Sequence, residues 1–377
     1  MKKSRLLWSV IILLLCTNGY SQEISKGEIT NQSIHETYTP SFDSDGTDTP
    51  VKNIILMIGD GMGLAHISSA LYANNGKLTL ANLRTCGFVK TQSADQFTTD
   101  SAASGTAYST GVKTKNGALG VNEKNEIIKN LPENLIDFNI VSGIVTTDNL
   151  DGATPAAFFA HQPNRNMSTE ILRDIIYSPL SFFAAGSLEL LKKQPKDFQE
   201  KIKQRFTIVD DLKKINTKDK QSIGYLPPKK ETSSKADGRG NYLPGTTQAA
   251  IDFLSKKSKN GFFLMVEGAR IDKSAHKNDL STLVREVLDF DLAVEKAIRF
   301  AEAEGNTLVI ITADHETGAL SLRSGNLANN TVKGVFVSKG HTPIMVPLFA
   351  FGPHSREFSG IQENNDVSNK IFNLLIK

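Results

Sequence analysis

The segment Asn53-Ile54-Ile55-Leu56-Met57-Ile58-Gly59-Asp60-Gly61 is an apolar run of strand length that stops at a glycine-flanked acid. Because the run does not alternate, it suits a strand covered on both faces, as strands are in a parallel sheet with helices above and below. Similar runs follow at Ser142–Thr146, Phe262–Val266, Thr307–Thr312 and Pro347–Phe351. Helical patterns lie between several of them. In the clearest, Leu280, Leu283, Val284, Val287, Leu288, Ala293, Ala297 and Ile298 repeat on a helical period. Strands alternating with helices predict an α/β fold: a central, mostly parallel sheet flanked by helices on both faces.

On either side of this pattern the composition changes. Residues 22–50 are rich in Ser, Thr, Asp and Gly and read as a flexible leader, so one catalytic domain is expected over 51–377. Residues 192–241 are lysine-rich, contain Pro227-Pro228 and end in a Ser/Gly-rich tail, which predicts a small surface insertion. At the start, Lys2, Lys3 and Arg5 precede the apolar run Leu6–Leu15, which is short for a bilayer span. Residues 1–21 therefore read as a signal peptide, with small residues in Gly19-Tyr20-Ser21 placing cleavage before Gln22. The alternative is a lipoprotein signal ending at Cys16, but Leu15 is bulky where a small residue is expected. The expected product is an exported protein, periplasmic or secreted, with no membrane span.

Lys2, Lys3 and Arg5 account for the whole formal charge of +3, so the mature chain is nearly neutral. That offers no support for a nucleic-acid partner or an anionic membrane. Of Cys16 and Cys86 only the second survives cleavage, which rules out an intrachain disulfide. Stability must come from a large core and from bound metal.

The acids and histidines fall where ligands bind in such sheets, at the carboxyl ends of strands. Asp60 follows the first strand, Glu267 follows Phe262–Val266, and Asp314-His315 follows Thr307–Thr312. Each has a bland reading as a turn, a cap or a loop residue, but convergence at three strand ends is harder to explain that way. Asp272 and His276 are four apart, on one face of a helix, and His341 follows a glycine in Lys339-Gly340-His341. This mix of carboxylate and imidazole is what zinc takes, and the lack of a cysteine pair argues against a zinc finger. In Thr99-Asp100-Ser101-Ala102-Ala103-Ser104-Gly105, the small residues suit close helix packing. Ser101 would also open that helix, where free N–H groups favour an anion. With no G-x-S-x-G elbow in the chain, metal activation is the better candidate for that serine.

Taken together, Gly59-Asp60-Gly61-Met62-Gly63, Thr99-Asp100-Ser101-Ala102, Ala153-Thr154-Pro155-Ala156-Ala157, Val266-Glu267-Gly268 with Ile271-Asp272-Lys273 and His276, and Thr312-Ala313-Asp314-His315-Glu316-Thr317-Gly318 resemble the alkaline phosphatases, in the same order. The resemblance runs from about Lys52 to the C-terminus and implies a compact bacterial member that hydrolyses phosphate monoesters of broad range. It implies two Zn2+ and one Mg2+. Asp272, His276 and His341 match the ligands of the zinc facing the leaving group. Asp60, Asp314 and His315 match those of the zinc beside the nucleophile, and Asp60, Thr154 and Glu267 match a magnesium site. Ser101 matches the nucleophile that becomes a phosphoserine, and Arg165 the arginine that grips two phosphate oxygens. Lys273 has a supporting role near phosphate, His161 a packing role, and His35, His66 and His354 none. Dimerisation is common in the family, so a homodimer is compatible with the resemblance, although no interface can be read from the residues.

Gly152 departs from the pattern, since family members commonly carry Asp or His there. The expectation is a loosely held magnesium whose activation changes in Gly152→Asp, unless Asp151 or Asp148 turns inward to replace the missing group. Two alternatives to a monoesterase stay open: a phosphodiesterase of the same superfamily, and a non-catalytic phosphate- or metal-binding protein. A sulfatase is disfavoured because no C/S-x-P-x-R context occurs.

Overall fold

The computed structural model describes residues 24–377 except Ser187 and Lys220. The signal peptide, its cleavage point and Cys16 lie outside the described residues. In chain order the strands are β1 (Ser25–Thr30), β2 (Asn53–Ile58), β3 (Thr85–Lys90), β4 (Val141–Asn149) and β5 (Phe182–Gly186). There follow β6 (Phe206–Val209), β7 (Ser222–Tyr225), β8 (Phe262–Glu267), β9 (Thr307–Thr312) and β10 (Glu316–Thr317). The last are β11 (Leu320–Asn326), β12 (Thr331–Phe336), β13 (His341–Thr342), β14 (Val346–Phe351) and β15 (Gly360–Glu363).

The non-alternating runs do become strands buried at every position, as in β2, β8 and β9. They sit at the centre of a 10-stranded sheet in the order β15-β3-β14-β9-β2-β8-β4-β5-β7-β6. From β9 to β5 every pairing is parallel. Only β14 runs against its neighbours β9 and β3. Helix Leu280–Glu304 packs against both Leu64–Ala73 and Tyr242–Lys257, and helix Ser101–Thr110 against both Ala153–Ala156 and Asn364–Ile376. Fully parallel strands need such cover on both faces, because each face is apolar. No helix among the described residues is long and apolar enough to cross a membrane.

Two expectations need correction. The leader is not flexible over its described part. β1 pairs antiparallel with β12, from Ser25 opposite Phe336 to Thr30 opposite Thr331, in a 3-stranded sheet with β11. Further along, the Asn31 side chain donates to the Ala73 carbonyl at 2.9 Å, and Asn74 accepts from the His35 N–H at 2.7 Å. The Arg299 and Arg84 guanidinium groups stack 3.8 Å from the rings of Tyr38 and Phe42. Polar composition here reflects hydrogen-bonding work rather than disorder.

The 192–241 region is also more than a surface insertion. Its strands β6 and β7 extend the central sheet at one edge through parallel pairing with β5. In helix Lys196–Arg205, Phe198 and Ile202 are buried one turn apart while the lysines keep to solvent. A buried ion cluster ties the end of the region to the longest helix. Arg239, fully buried, donates to Glu286 and to Asp289, the latter at 2.8 Å, and Lys235 reaches Asp289 at 2.7 Å. Removing the guanidinium would leave buried Glu286 without its cation and Asp289 with Lys235 alone. Arg239→Ala is expected to cost about 3–5 kcal/mol of stability, read as a lowered urea midpoint.

Candidate metal centre

Four strand ends and one helix start build the site. β2 ends at Ile58 and hands Asp60 to a turn in which Gly61 has φ +69°. A side chain at Gly61 would be strained by that φ, and its Cβ would lie 2.8 Å from Thr317 Oγ1 and 3.0 Å from Asp272 Cα. The Gly61 N–H instead donates to Asp314 Oδ1 at 3.0 Å, which stitches the ends of β2 and β9 together. β8 ends at Glu267, and the helix Arg270–Ala275 that follows carries Asp272, with His276 at its C-cap. β4 leads through Gly152 to the helix Ala153–Ala156 and its buried Thr154.

His341 arrives by a different route. The two-residue strands β10 and β13 pair so that Glu316 faces Thr342 and Thr317 faces His341. This small ladder holds His341 against the segment that carries His315, and their rings stack at 3.5 Å.

Ser101 opens helix Ser101–Thr110 behind Asp100, whose side chain caps it by accepting from the Ala103 N–H at 3.0 Å. The close-packing reading of the small-residue stretch holds, because the helix is buried along nearly all its length. A Cβ on Gly105 would come 3.1 Å from Ala157 Cβ, while Ser104 and Tyr108 bond the Asp314 and Ala313 carbonyls at 2.8 and 2.9 Å.

The result is two groups, Asp60–Asp314–His315 and Asp272–His276–His341, in each of which the facing atoms lie within 4.8 Å of one another. In the second, Nδ1 of His341 points to the Thr99 carbonyl at 3.0 Å and Nδ1 of His276 to the Lys339 carbonyl. A carbonyl only accepts, so each Nδ1 carries a proton, and Nε2 is the nitrogen left to face a cation once its own proton is gone. Those two Nε2 atoms stand 3.2 Å apart, and Asp272 Oδ1 lies 3.2 and 3.7 Å from them. In the first group His315 Nε2 lies 3.3 Å from Asp314 and 3.5 Å from Asp60. Ser101 Oγ approaches the same nitrogen at 3.2 Å. Arg165 is ion-paired at 3.1 Å to Asp100, the residue before the serine.

The donors fit divalent cations. Asp60 Oδ1, Asp314 Oδ2 and Thr154 Oγ1 are buried oxygens without a hydrogen-bond partner, an arrangement that is costly unless a cation completes it. Burial, then the charges of Asp314, Asp272 and Glu267, push the Asp60 carboxyl well up from its ordinary range. Burial and then Asp148 raise Glu267 to about 8. Burial would raise Asp272 too, but the hydrogen bond from His276 and the nearby imidazoles hold it low. His276 rises to about 9 through its bond to Asp272, while burial and then His315 lower His341.

Several contributors stand outside the residues that the sequence marks as ligands. Thr317 Oγ1 donates to Asp272 at 2.6 Å and lies 3.2 Å from His315 Nδ1, so one hydroxyl joins the two groups. Its position two residues after His315, a spacing that shares a side in extended chain, is the available clue. Thr146 donates to Glu267, and Asp148 pairs with Lys273. His66, given no role, is fully buried and bonds the Thr317 carbonyl at 2.9 Å. His161 packs as expected, between the Gly120 carbonyl at 2.8 Å and Glu133 at 3.0 Å.

An α/β sheet that gathers acids, imidazoles and a helix-opening serine at its carboxyl edge defines a metal-dependent hydrolase of the phosphoryl-transfer type. The alkaline phosphatase family model matches residues 51–176 and 193–334, and the chain belongs to that family, whose members hydrolyse phosphate monoesters. It is 30% identical to alkaline phosphatase 4 of Bacillus subtilis, over 86% of this chain and 89% of that one. It superimposes with a TM-score of 0.81 on the alkaline phosphatase of the Antarctic bacterium TAB5, at 39% identity, over 87% of this chain and 98% of that one. A mutant of the TAB5 enzyme, 38% identical and with the same TM-score and coverage, is described with Mg bound in its M3 site.

Two predictions follow from the geometry. Thr317→Val should weaken zinc binding about tenfold to a hundredfold, measured by competition with a chelating dye, because it releases both Asp272 and His315. Glu267 is raised from about 4.3 unfolded to about 8 folded, so its stabilising contribution is full below about pH 4 and lost as pH rises toward 8. The melting temperature of the metal-free protein should therefore fall between about pH 5 and 8. With zinc and magnesium bound the fall should disappear.

Proposed function

We propose that the mature chain is an exported zinc- and magnesium-dependent phosphatase acting through a phosphoserine on Ser101. The observation that carries this reading is the position of Ser101. Its Oγ lies 3.2 Å from His315 Nε2, at the start of a helix and against the Asp60–Asp314–His315 group. Asp60, Asp314 and His315 would hold one Zn2+, Asp272, His276 and His341 the other, and Asp60, Thr154 and Glu267 one Mg2+. Bound there, the cations would neutralise the phosphate and stabilise the entering and leaving oxygens.

The chain's own residues do the rest. Ser101 attacks phosphorus in line with the leaving alcohol, and water then releases phosphate from the phosphoserine. The helix N–H groups behind Ser101 face the developing charge. Arg165, positioned by Asp100, offers its planar fork to two phosphate oxygens, which suits the dianionic end of a monoester. The groups assigned here all act on cations or on the phosphate, which supports a broad range of small phosphate monoesters as substrates. A binding protein without turnover would have lost the nucleophile or a ligand, yet Ser101 and both ligand groups are in place.

The remaining parts of the reading are a single catalytic domain over 51–377, cleavage before Gln22, a periplasmic or secreted location and a homodimer. Hydrolysis of p-nitrophenyl phosphate at alkaline pH by the metal-loaded protein tests the core of it. Ser101→Ala should abolish burst and turnover while leaving zinc content unchanged. Arg165→Ala should lower kcat/KM about a hundredfold or more. A wild-type enzyme that hydrolyses a diester faster than the monoester of the same alcohol would overturn the monoesterase reading.

A further inference from the structure

Gly152 has φ −59° and ψ 146°, a backbone conformation open to any residue. Space, not strain, is what keeps it small. A Cβ built there would lie 2.8 Å from Asp148 Oδ2, 3.0 Å from the Asn149 carbonyl and 3.1 Å from Asp148 Cγ. The volume a side chain at 152 would occupy is filled by the carboxylate of Asp148.

The strand makes this arrangement. In the pairing of β4 with β5, Val145 faces Ala184 and Asn149 faces Gly186, so four steps on β4 match two on β5. Such irregularities redirect side chains beside functional sites. Asp148 is then fixed from both ends. Its N–H donates to Thr146 Oγ1 at 2.8 Å, and that hydroxyl in turn donates to Glu267. Its Oδ1 pairs with Lys273, leaving Oδ2 against Gly152. Asp151, the other acid in this turn, instead accepts from Ser168.

We propose that Asp148 supplies the carboxylate that Gly152 lacks, holding the water shell of the divalent cation at the Asp60–Thr154–Glu267 site. The inference rests on the reading of that site given above. It makes Asp148 a positioning residue and makes positions 148 and 152 interdependent: a carboxylate serves from either one, but the two cannot occupy the space together.

Titration of Mg2+ into the zinc-loaded protein, followed by calorimetry, tests this without relying on turnover. Asp148→Ala and Asp148→Asn should each weaken Mg2+ binding about tenfold or more. Gly152→Asp alone should also weaken it, because two carboxylates collide. The double variant D148A/G152D should recover most of the lost affinity, a reversal that general damage to the fold would not produce. Wild-type affinity in both Asp148 variants would overturn the proposal, as would a double variant in which the losses simply add. If Mg2+ uptake is absent from the wild type, or survives Glu267→Gln, the site itself has been misread and the proposal falls with it. Uptake that is lost in Glu267→Gln but intact in the Asp148 variants removes only the role of Asp148.

Discussion

Negative charge held out of water is the constraint around which the molecule is arranged. Asp60, Glu267, Asp272 and Asp314 are all buried where β2, β8 and β9 end. Four carboxylates so placed repel one another and have lost much of their hydration, so the apo site stores unfavourable energy. Only a rigid frame can hold such a cluster open for cations. The parallel centre of the sheet supplies it, because adjacent strands end level and are locked on both sides. The loops above are then pinned by single contacts such as Gly61 to Asp314 and Thr317 to Asp272.

The same constraint explains how the partners are chosen. Each imidazole of the Asp272 group turns its outer nitrogen to a main-chain carbonyl, which aims the inner one at its neighbours in the group. The serine approaches from a helix start, the one backbone feature that carries positive potential without a side chain. Arg165 stays paired to Asp100, the cap of that helix, so clamp and nucleophile are aimed by one residue.

Much of this was legible in the chain. β2, β8 and β9 announce themselves because burial on both faces demands unbroken apolar runs, and Asp60, Glu267 and Asp314 stand immediately beyond or at their ends. Asp272 and His276 are legible as a helical pair. Other parts are set by contacts that have no local signature. β10 and β13 are too short for any periodicity, so the delivery of His341 beside His315 cannot be read from spacing. The leader and the lysine-rich region mislead for one reason. Composition records what faces water, whereas their few inward residues, such as Phe198 and Ile202, decide where they pack. Asp148 is one of two acids in the chain beside the gap at Gly152, and the irregularity in β4 that turns it there shows only in three dimensions.

The bond between Gly61 and Asp314 spans 253 residues of chain, and that between Thr317 and Asp272 spans 45. Contacts of the first kind close late, because long loops must be ordered before they form. No N-terminal fragment emerging ahead of the rest can assemble either ligand group, since both draw on residues beyond position 313. The order in which the chain emerges thus acts as a timing device: the first ligand group is complete only once His315 is out, and the second waits for His341.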